Sequence, residues 1–128
     1  MNPTGARNIL VVDDDSATRR LLSFLLERAG YDVAAAEDGA TALEMISTSP
    51  PDILITDLMM QRMNGYELCQ KVRSDKKHDR IRIVVLTARD QTSDIERLKS
   101  TGVDVILEKP IDPREFARTI RALVERPA

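Results

Sequence analysis

The sequence predicts an α/β fold in which a doubly wound, five-stranded parallel sheet is covered by five helices, in three layers ordered α/β/α. Short apolar segments alternate five times with segments of helical periodicity along the chain. Most of the strand segments are continuously apolar, which is typical of parallel strands buried on both faces. Polar or charged residues follow several of these strands directly. We therefore expect five consecutive β–α units and no second domain.

The first unit has the clearest boundaries. The apolar run Ile9–Val12 predicts a buried strand, and residues 16–29 carry Leu and Ala at helical spacing. Asp15 or Ser16 is placed to cap this helix, and Gly30 to end it.

The other four units follow from the same signals. The second strand is the weakest, because its apolar residues are mostly alanines. Two prolines close the second helix, glycines open the third and end the fourth, and Pro110 breaks the last strand. Strands are predicted at 31–36, 52–57, 80–88 and 103–109, and helices at 38–47, from 65 to about 74, at 92–101 and from 113 onwards.

Length and composition indicate a single domain. A chain of 128 residues can bury a core without disulfides or structural zinc, so we expect one domain over 1–128 with its core at about 8–125. Hydrophobic residues make up 42% of the chain but aromatic residues only 3%, so the core must consist of aliphatic side chains and methionine.

Charge and cysteine content argue against several classes of function. A net charge of -2 gives no overall field that would drive the chain onto nucleic acid or an anionic membrane. The single cysteine excludes an intrachain disulfide framework, and no segment has the pattern of a signal peptide or a transmembrane helix. We expect a cytoplasmic protein that binds neither nucleic acid nor a membrane directly.

Polar residues follow the predicted strands at one end of the sheet. Asp13 and Asp14 follow the first strand, Asp57 ends the third, Thr87 ends the fourth and Lys109 ends the fifth. Each of them alone is readily explained as a turn former, a helix cap or a solvated strand end. In an open parallel sheet, however, ligands bind outside the carboxyl ends of the strands, where the strand order reverses. The convergence of all five at that edge predicts a functional site.

The motifs that carry these residues resemble those of one family. The segments VVDDDS, ILITDLMM, VVLTA and ILEKPI occur in this order between Ile9 and about Val124. In that combination the chain resembles the receiver domains of two-component response regulators. The resemblance implies a flavodoxin-like fold. It also implies that Asp57 accepts a phosphoryl group from a phosphohistidine on a histidine kinase or a histidine phosphotransfer protein.

The resemblance further implies a Mg²⁺ site made of Asp13, Asp14, Asp57 and the backbone carbonyl of Met59. Such a site is chemically reasonable, because Mg²⁺ prefers oxygen ligands and lets neighbouring carboxylates stay ionised. An ionised carboxylate is also the form that can attack phosphorus. By position after the strand, Asp13 and Asp14 are the metal-binding pair, and Asp15 is a loop or capping residue.

Three further residues are implied to contact the phosphoryl group or its surroundings. Lys109 supplies a second positive charge, Thr87 can donate its hydroxyl, and the small Ala88 leaves the approach open. Met59 and Arg89 flank the expected phosphate position. We expect these two side chains to shield the acyl phosphate from water and to slow its hydrolysis.

Two positions depart from the family pattern. Gln61 stands where the family usually has proline, so the loop after the third strand is less restricted. Ile106 stands where the family usually has an aromatic switch residue. Any conformational signal is therefore expected to pass through a smaller aliphatic movement or through the loop before the fourth helix.

The resemblance implies a signalling module and no separate turnover activity. Phosphorylation would change the face formed by the fourth helix, fifth strand and fifth helix, to control a downstream protein target or an output domain outside this sequence. A phosphorylation-dependent dimer on that face is a further expectation. Cys69, at helical spacing with apolar neighbours, is predicted to be packed, and His78, in a polar loop, to be solvated.

Two other functions are open from the sequence. A Mg²⁺-dependent phosphohydrolase of the haloacid dehalogenase type uses an Asp-x-Asp-x-Thr/Val pattern, and DDDSA supplies Asp13 and Asp15 but places Ala17 at the fifth position. That alternative leaves Asp57 unexplained. A pseudo-receiver that acts only as a protein-binding scaffold would explain Gln61 and the missing aromatic, but not the intact set of five site residues.

Overall fold

A computed structural model describes residues 7–88 and 92–125. The five strands are β1 (Asn8–Val12), β2 (Asp32–Ala36), β3 (Ile53–Asp57), β4 (Arg82–Thr87) and β5 (Val105–Glu108). The five helices are α1 (Ser16–Arg28), α2 (Gly39–Thr48), α3 (Gly65–Arg73), α4 (Thr92–Lys99) and α5 (Pro113–Glu125). A short 3-10 helix, Lys76–His78, lies between α3 and β4.

All five strands are parallel and form one sheet in the order β2-β1-β3-β4-β5. The fold class predicted from the sequence is therefore confirmed. The chain runs from β1 outward to β2 and then returns past β1 to β3, so the strand order reverses between β1 and β3. Val12 is in register with Thr56, which places the residues that follow them, Asp13 and Asp57, at this reversal.

The apolar core has two parts because alternate residues of each strand point to opposite faces of the sheet. In β1, Leu10 and Val12 belong to the part that packs under α2, α3 and α4. Ile9 and Val11 belong to the part that packs under α1 and α5. Both faces are covered, which explains why the strand sequences are continuously apolar.

Side-chain caps set the beginnings of three helices. Asp15 accepts a hydrogen bond from the backbone N–H of Thr18 and caps α1, as its position in the sequence predicts. Asp38 caps α2 in the same way, and Asn64 forms a capping box with Glu67 at α3. At the other end of α1, Gly30 has φ +97°, the left-handed conformation that ends helices and favours glycine.

The last two strands are shorter than predicted. β4 begins at Arg82 rather than at residue 80, and β5 begins at Val105 rather than at 103. Asp104 lies just before β5. Its carboxylate accepts the backbone N–H of Ile83 at 2.8 Å and pairs with Arg73 at 3.2 Å. The Asp104 carboxylate thus replaces one backbone acceptor at this end, while the backbone N–H of Asp104 still donates to the carbonyl of Ile83 at 2.9 Å.

The prediction that His78 is solvated is wrong. The 3-10 helix folds the polar segment back on α3, and the His78 residue is only 7% exposed. Its carbonyl accepts a hydrogen bond of 3.1 Å from Nη1 of Arg73, which holds this turn in place. Cys69 is fully buried, as predicted, and burial raises the pKa of its thiol to about 12.

A search of the described residues for a helix with the length and apolarity needed to cross a membrane returns none.

Candidate functional site

Three aspartates meet at the carboxyl ends of β1 and β3. Asp13 and Asp14 follow β1, and Asp57 is the last residue of β3. One carboxylate oxygen from each of the three lies within 4.8 Å of the other two. Asp13 is 1% exposed and Asp57 8%, whereas Asp14 faces solvent. The sheet therefore collects three carboxylates from two distant parts of the sequence into one small, half-enclosed site.

Local hydrogen bonds fix the first of these aspartates. One carboxylate oxygen of Asp13 accepts the backbone N–H of Asp15 at 2.9 Å. The backbone carbonyl of Asp13 accepts a hydrogen bond of 2.7 Å from Nη1 of Arg19, one turn into α1. Asp13 is thus held from both its side chain and its main chain. Arg19 was not predicted from the sequence as part of the site, although a cation one helical turn after the triple aspartate is a visible signal.

Asp14 connects the two loops of the site. Its Oδ2 accepts the backbone N–H of Gln61 at 3.3 Å. This contact depends on a backbone N–H at residue 61, which a proline would not have. The departure from the family pattern at Gln61 therefore adds a tie between the loops that follow β1 and β3.

Lys109 brings a positive charge into the group of aspartates. Its Nζ lies 3.1 Å from Oδ1 of Asp57 and 3.4 Å from Oδ2 of Asp13. The backbone N–H of Lys109 donates to the carbonyl of Thr87 at 2.7 Å, which ties this residue to the end of β4. One ammonium group thus contacts two of the three carboxylates.

The charges of the site do not balance. Burial raises the pKa of Asp57, and the neighbouring charge of Asp13 raises it further, against the opposing effect of Lys109. Burial by itself lowers the pKa of Lys109, but the carboxylates of Asp57 and Asp13 outweigh it and leave that pKa raised. Three carboxylates against one ammonium leave room for another cation.

The residues present fit a hard divalent cation such as Mg²⁺. The candidate ligands are all oxygens, and one from each aspartate lies within 4.8 Å of the other two, in a site where burial and the charge of Asp13 raise the pKa of Asp57. Asp13, Asp14 and Asp57 would hold the cation. The contribution of the Met59 carbonyl remains a prediction.

Gly65 is required for the shape of the site. Its N–H donates to the carbonyl of Leu58 at 2.7 Å, so the beginning of α3 lies directly against the end of β3. A Cβ at residue 65 would come within 2.4 Å of the carbonyl oxygen of Asp57 and 2.9 Å of Cα of Leu58. Both are backbone atoms that cannot move aside easily. The sequence identified Gly65 only as the start of a helix.

The other predicted site residues lie around this group. Thr87 is the last residue of β4 and is 1% exposed, and Ala88, next to it, is half-buried. The side chain of Met59 is 53% exposed on the loop after β3. Ile106 is half-buried and packs against the core under α2, α3 and α4. Arg89 lies outside the described residues. The roles predicted for all five positions stay predictions.

Comparison with known proteins identifies relatives over nearly the whole chain. A family model described as the response regulator receiver domain matches residues 9–121. The response regulator MprA of Mycobacterium ulcerans is 45% identical over 118 residues, which are 92% of this chain and 50% of MprA. The alkaline phosphatase synthesis transcriptional regulatory protein PhoP of Bacillus subtilis is 38% identical over 120 residues, covering 94% of this chain and 49% of PhoP. The chain spans about half the length of these curated relatives.

Solved structures show the same architecture. The chemotaxis response regulator CheY4 of Vibrio cholerae superposes with a TM-score of 0.87 at 29% identity, over 93% of this chain and 99% of that chain. The signal receiver domain of a signal transduction histidine kinase from Syntrophus aciditrophicus gives a TM-score of 0.88 at 28% identity, over 96% of both chains.

Proposed function

Because this chain belongs to the family of response regulator receiver domains of two-component signalling, we propose that it is a phosphoacceptor whose nucleophile is Asp57. The observation that carries the proposal is the position of Asp57: the last residue of β3, nearly buried, and bracketed by Lys109 and two further aspartates. The donor is a phosphohistidine on a histidine kinase or a histidine phosphotransfer protein.

The transfer is a substitution at phosphorus. A carboxylate oxygen of Asp57 attacks the phosphorus atom, and the bond between phosphorus and the donor imidazole nitrogen breaks. The electron pair of that bond leaves with the imidazole, which then takes up a proton from solvent. The product is an acyl phosphate on Asp57, and no oxidant or further reactant is consumed.

The residues around Asp57 prepare it for this step. Lys109, 3.1 Å from the carboxylate, can move its contact to a phosphoryl oxygen as negative charge enters the site. The Thr87 hydroxyl, at the end of the neighbouring strand, is proposed as a second donor to the phosphoryl group. When bound, Mg²⁺ supplies charge neutralisation for the carboxylates and for the incoming phosphoryl oxygens.

The surface of α1 supports docking of a protein donor. Leu21 is 47% exposed and Phe24 55%, and both lie on the helix that begins at the aspartate group. The guanidinium of Arg28 lies 5.6 Å from the centre of the Phe24 ring. An exposed apolar patch with a cationic edge is typical of a protein contact site. We propose that the donor protein contacts this face.

The output is proposed to pass through the α4–β5–α5 face to a protein target or an output domain. Ile106 packs against the same buried cluster that contains Leu98 of α4, so a movement at β5 can be passed to α4 through that cluster. The residue is aliphatic and half-buried, which favours a small adjustment of packing over the rotation of a ring. A phosphorylation-dependent dimer through this face is part of the same proposal.

Labelling separates the proposal from its two rivals. Incubation with acetyl phosphate and Mg²⁺ should add one phosphoryl group to the parent protein and none to Asp57→Asn, as seen by intact-protein mass spectrometry. The matched control is Asp75→Asn, which neutralises a half-exposed aspartate in the segment after α3 and should label like the parent. Repeated release of phosphate from many esters would indicate the hydrolase instead, and no label in either protein would indicate the scaffold.

Metal binding gives a second, independent test. Mg²⁺ should raise the melting temperature of the parent in a saturable way, because a ligand that binds only the folded state stabilises it by mass action. The response should be much weaker in Asp57→Asn and unchanged in Asp75→Asn. An Asp57→Asn protein that responds to Mg²⁺ like the parent would contradict the assignment of Asp57 as a ligand.

The donor surface has its own test. Phe24→Ala should slow phosphotransfer from a histidine kinase but leave labelling by acetyl phosphate unchanged, since the small donor needs no docking surface. Equal slowing with both donors would show that Phe24 acts on the site rather than on docking.

A further inference from the structure

A largely apolar cavity of about 460 Å³ lies beside β2, at the end of the sheet opposite Asp57. One wall is formed by the first residues of β1 and β2, and the other by the second half of α2 and the turn that follows it. The volume is in the range of pockets that bind ligands in proteins, about 300–1,000 Å³. None of the lining residues takes part in the phosphoryl chemistry proposed above. The apolar ones are Ile9, Leu10, Val33, Ala34, Met45 and Pro51.

The cavity exists because β2 supplies only a small side chain under α2. Residues in register on neighbouring strands point to the same face of the sheet, so Leu10 of β1 and Ala34 of β2 both face α2. Leu10 is buried there, whereas Ala34 is exposed. The methyl group of Ala34 does not fill the space under the helix, and the cavity therefore opens to solvent at the outer side of β2.

The backbone of β2 is also open on that side, because β2 is an edge strand that pairs only with β1. In a parallel ladder the N–H and C=O groups of one residue point to the same neighbouring strand, and successive residues alternate. The N–H of Asp32 donates to the carbonyl of Arg7 at 3.0 Å, so Asp32 and every second residue after it pair towards β1. The backbone groups of Val33 and Ala35 therefore point away from the sheet, where no strand of residues 7–88 and 92–125 pairs with them.

Two carboxylates at the cavity have no cationic partner. Asp32 and Glu44 both line it and both are exposed. Within the part of the chain that the structure describes, no ion pair joins either of them to a lysine or arginine. A ligand that complements this apolar cavity and its acidic rim carries an apolar group next to positive charge.

We propose that this edge of the sheet binds an extended segment of a partner protein. The segment pairs with the outward backbone groups of Val33 and Ala35, inserts an apolar side chain into the cavity and places basic side chains near Asp32 and Glu44. Exposed sheet edges bind peptides in this way, with main-chain hydrogen bonds for affinity and a side-chain pocket for selectivity.

Charge and side-chain size favour a partner protein over this chain as the occupant. A second copy that paired through its own β2 would bring only Asp32, Ala34 and Ala36 to the face under α2, and these neither fill the cavity nor neutralise its rim. Residues 1–6, MNPTGA, contain no lysine or arginine.

Calorimetric titration with a synthetic peptide tests the proposal. The probe is an acetylated, amidated heptapeptide of four threonines alternating with lysine, isoleucine and lysine, so that the isoleucine and both lysines share one face of a strand. We expect saturable binding to the parent protein. Glycine in place of the isoleucine should weaken binding about tenfold, because the buried apolar side chain is lost. Glutamate in place of both lysines should weaken it further, because like charges then meet at the rim.

Matched variants of the protein locate the cavity contact. Ala34→Ile fills the cavity from β2 and should weaken binding about tenfold. Ala35→Ile is the control, since it makes the same change at the next exposed residue, whose side chain lies on the opposite face of the sheet, and should bind like the parent. Glu44→Gln should raise the Kd about threefold, as expected for an exposed ion pair. Cooperative thermal unfolding checks that each variant is folded.

Hydrogen exchange measured by nuclear magnetic resonance tests the strand pairing. The peptide should slow exchange of the outward N–H groups of Val33 and Ala35. It should change exchange at Asp32 and Ala34 much less, because these N–H groups already pair towards β1. Saturable binding without slower exchange at Val33 and Ala35 would overturn the proposal.

Three further results would overturn it. Equal binding of all three peptides, or undiminished binding to Ala34→Ile, would show that the cavity is not used. A dimer that forms without peptide and is abolished by Ala34→Ile would assign the edge to a second copy of the chain. Weaker binding to Asp57→Asn with unchanged binding to Glu44→Gln would place the peptide at the aspartate group instead.

Discussion

At the carboxyl edge of the sheet three aspartates lie close together and one lysine contacts two of them, whereas at the amino edge three arginines line a cavity with one aspartate. The two edges differ in the charged residues that line them and in how the chain positions those residues. Asp13 and Asp57 have short side chains that the strand ends hold almost entirely out of solvent. The arginines at the other edge reach their positions through long side chains, and Arg80 remains exposed.

The difference predicts different electrostatic costs. At the carboxyl edge, burial and the charge of Asp13 raise the pKa of Asp57, so the ionised site is unfavourable until a cation joins it. At the amino edge, solvent reaches the exposed Arg80 and screens its charge. The electrostatic cost of burying ionised groups is therefore expected to be larger at the carboxyl edge.

The largest expected effect comes from a substitution at Gly65 that disturbs the packing of α3 against β3 at the carboxyl edge. Gly65→Ala should lower the free energy of unfolding by about 3 kcal/mol, because the new Cβ would collide with backbone atoms of residues 57 and 58. The measurement is urea unfolding. Gly39→Ala is the comparison variant: its Cβ would meet the side chain of Met63, 2.9 Å from the sulfur and 3.0 Å from Cβ and Cγ, and no backbone atom is among these nearest contacts, so it should cost less than Gly65→Ala, about 1 kcal/mol. Equal losses in the two variants would contradict the close approach of α3 to β3.

The next effect tests the charge excess of the carboxyl edge. In EDTA at pH 7, Asp57→Asn should raise the melting temperature by about 4 °C, because a neutral side chain avoids burial of a charge beside Asp13. Since the folded-state pKa of Asp57 is raised above its unfolded value, the ionised group disfavours folding at neutral pH. The advantage of the variant should shrink as the pH falls and Asp57 becomes protonated in both states. A variant that melts lower than the parent at pH 7 would show that the contact with Lys109 dominates.

The same substitution at the amino edge should act in the opposite direction. Asp52→Asn should lower the free energy of unfolding by about 1 kcal/mol, because it weakens the acceptor of the Asn8 N–H and removes the carboxylate among three arginines. Urea unfolding at low ionic strength measures it. If Asp52→Asn stabilises the protein as Asp57→Asn does, the charge contrast between the two edges does not exist.

The smallest expected effect is at an exposed ion pair that lies away from both edges and serves as a reference. Arg121→Gln removes the partner of Glu125 in an i,i+4 pair at 3.3 Å, in which both side chains are largely exposed. It should change the free energy of unfolding by only about 0.3 kcal/mol. A loss above about 1 kcal/mol would mean that charge removal anywhere on this protein is costly. The changes in unfolding free energy at the two edges could then not be attributed to the edges themselves.

The carboxyl edge could be anticipated from the sequence because its residues directly follow strands. Asp13, Asp57 and Lys109 are each fixed by the backbone at the end of an apolar run, and parallel strands bring those ends together. The cap at Asp15 and the burial of Cys69 were predictable for the same local reasons. The shielding by Met59 and Arg89 and the switching through Ile106 remain predictions.

The sequence by itself therefore determined the five β–α units, the residues that follow the strands and the group of aspartates, since these depend on periodicity and on short side chains next to regular backbone. Only the tertiary structure decided the burial of His78, the contact of Arg19 with Asp13 and the approach of Gly65 to β3. It also decided that Arg7, Arg80 and Arg82 line one cavity. The physical reason is that loop paths and long side chains are positioned by packing between distant elements, which no local pattern encodes.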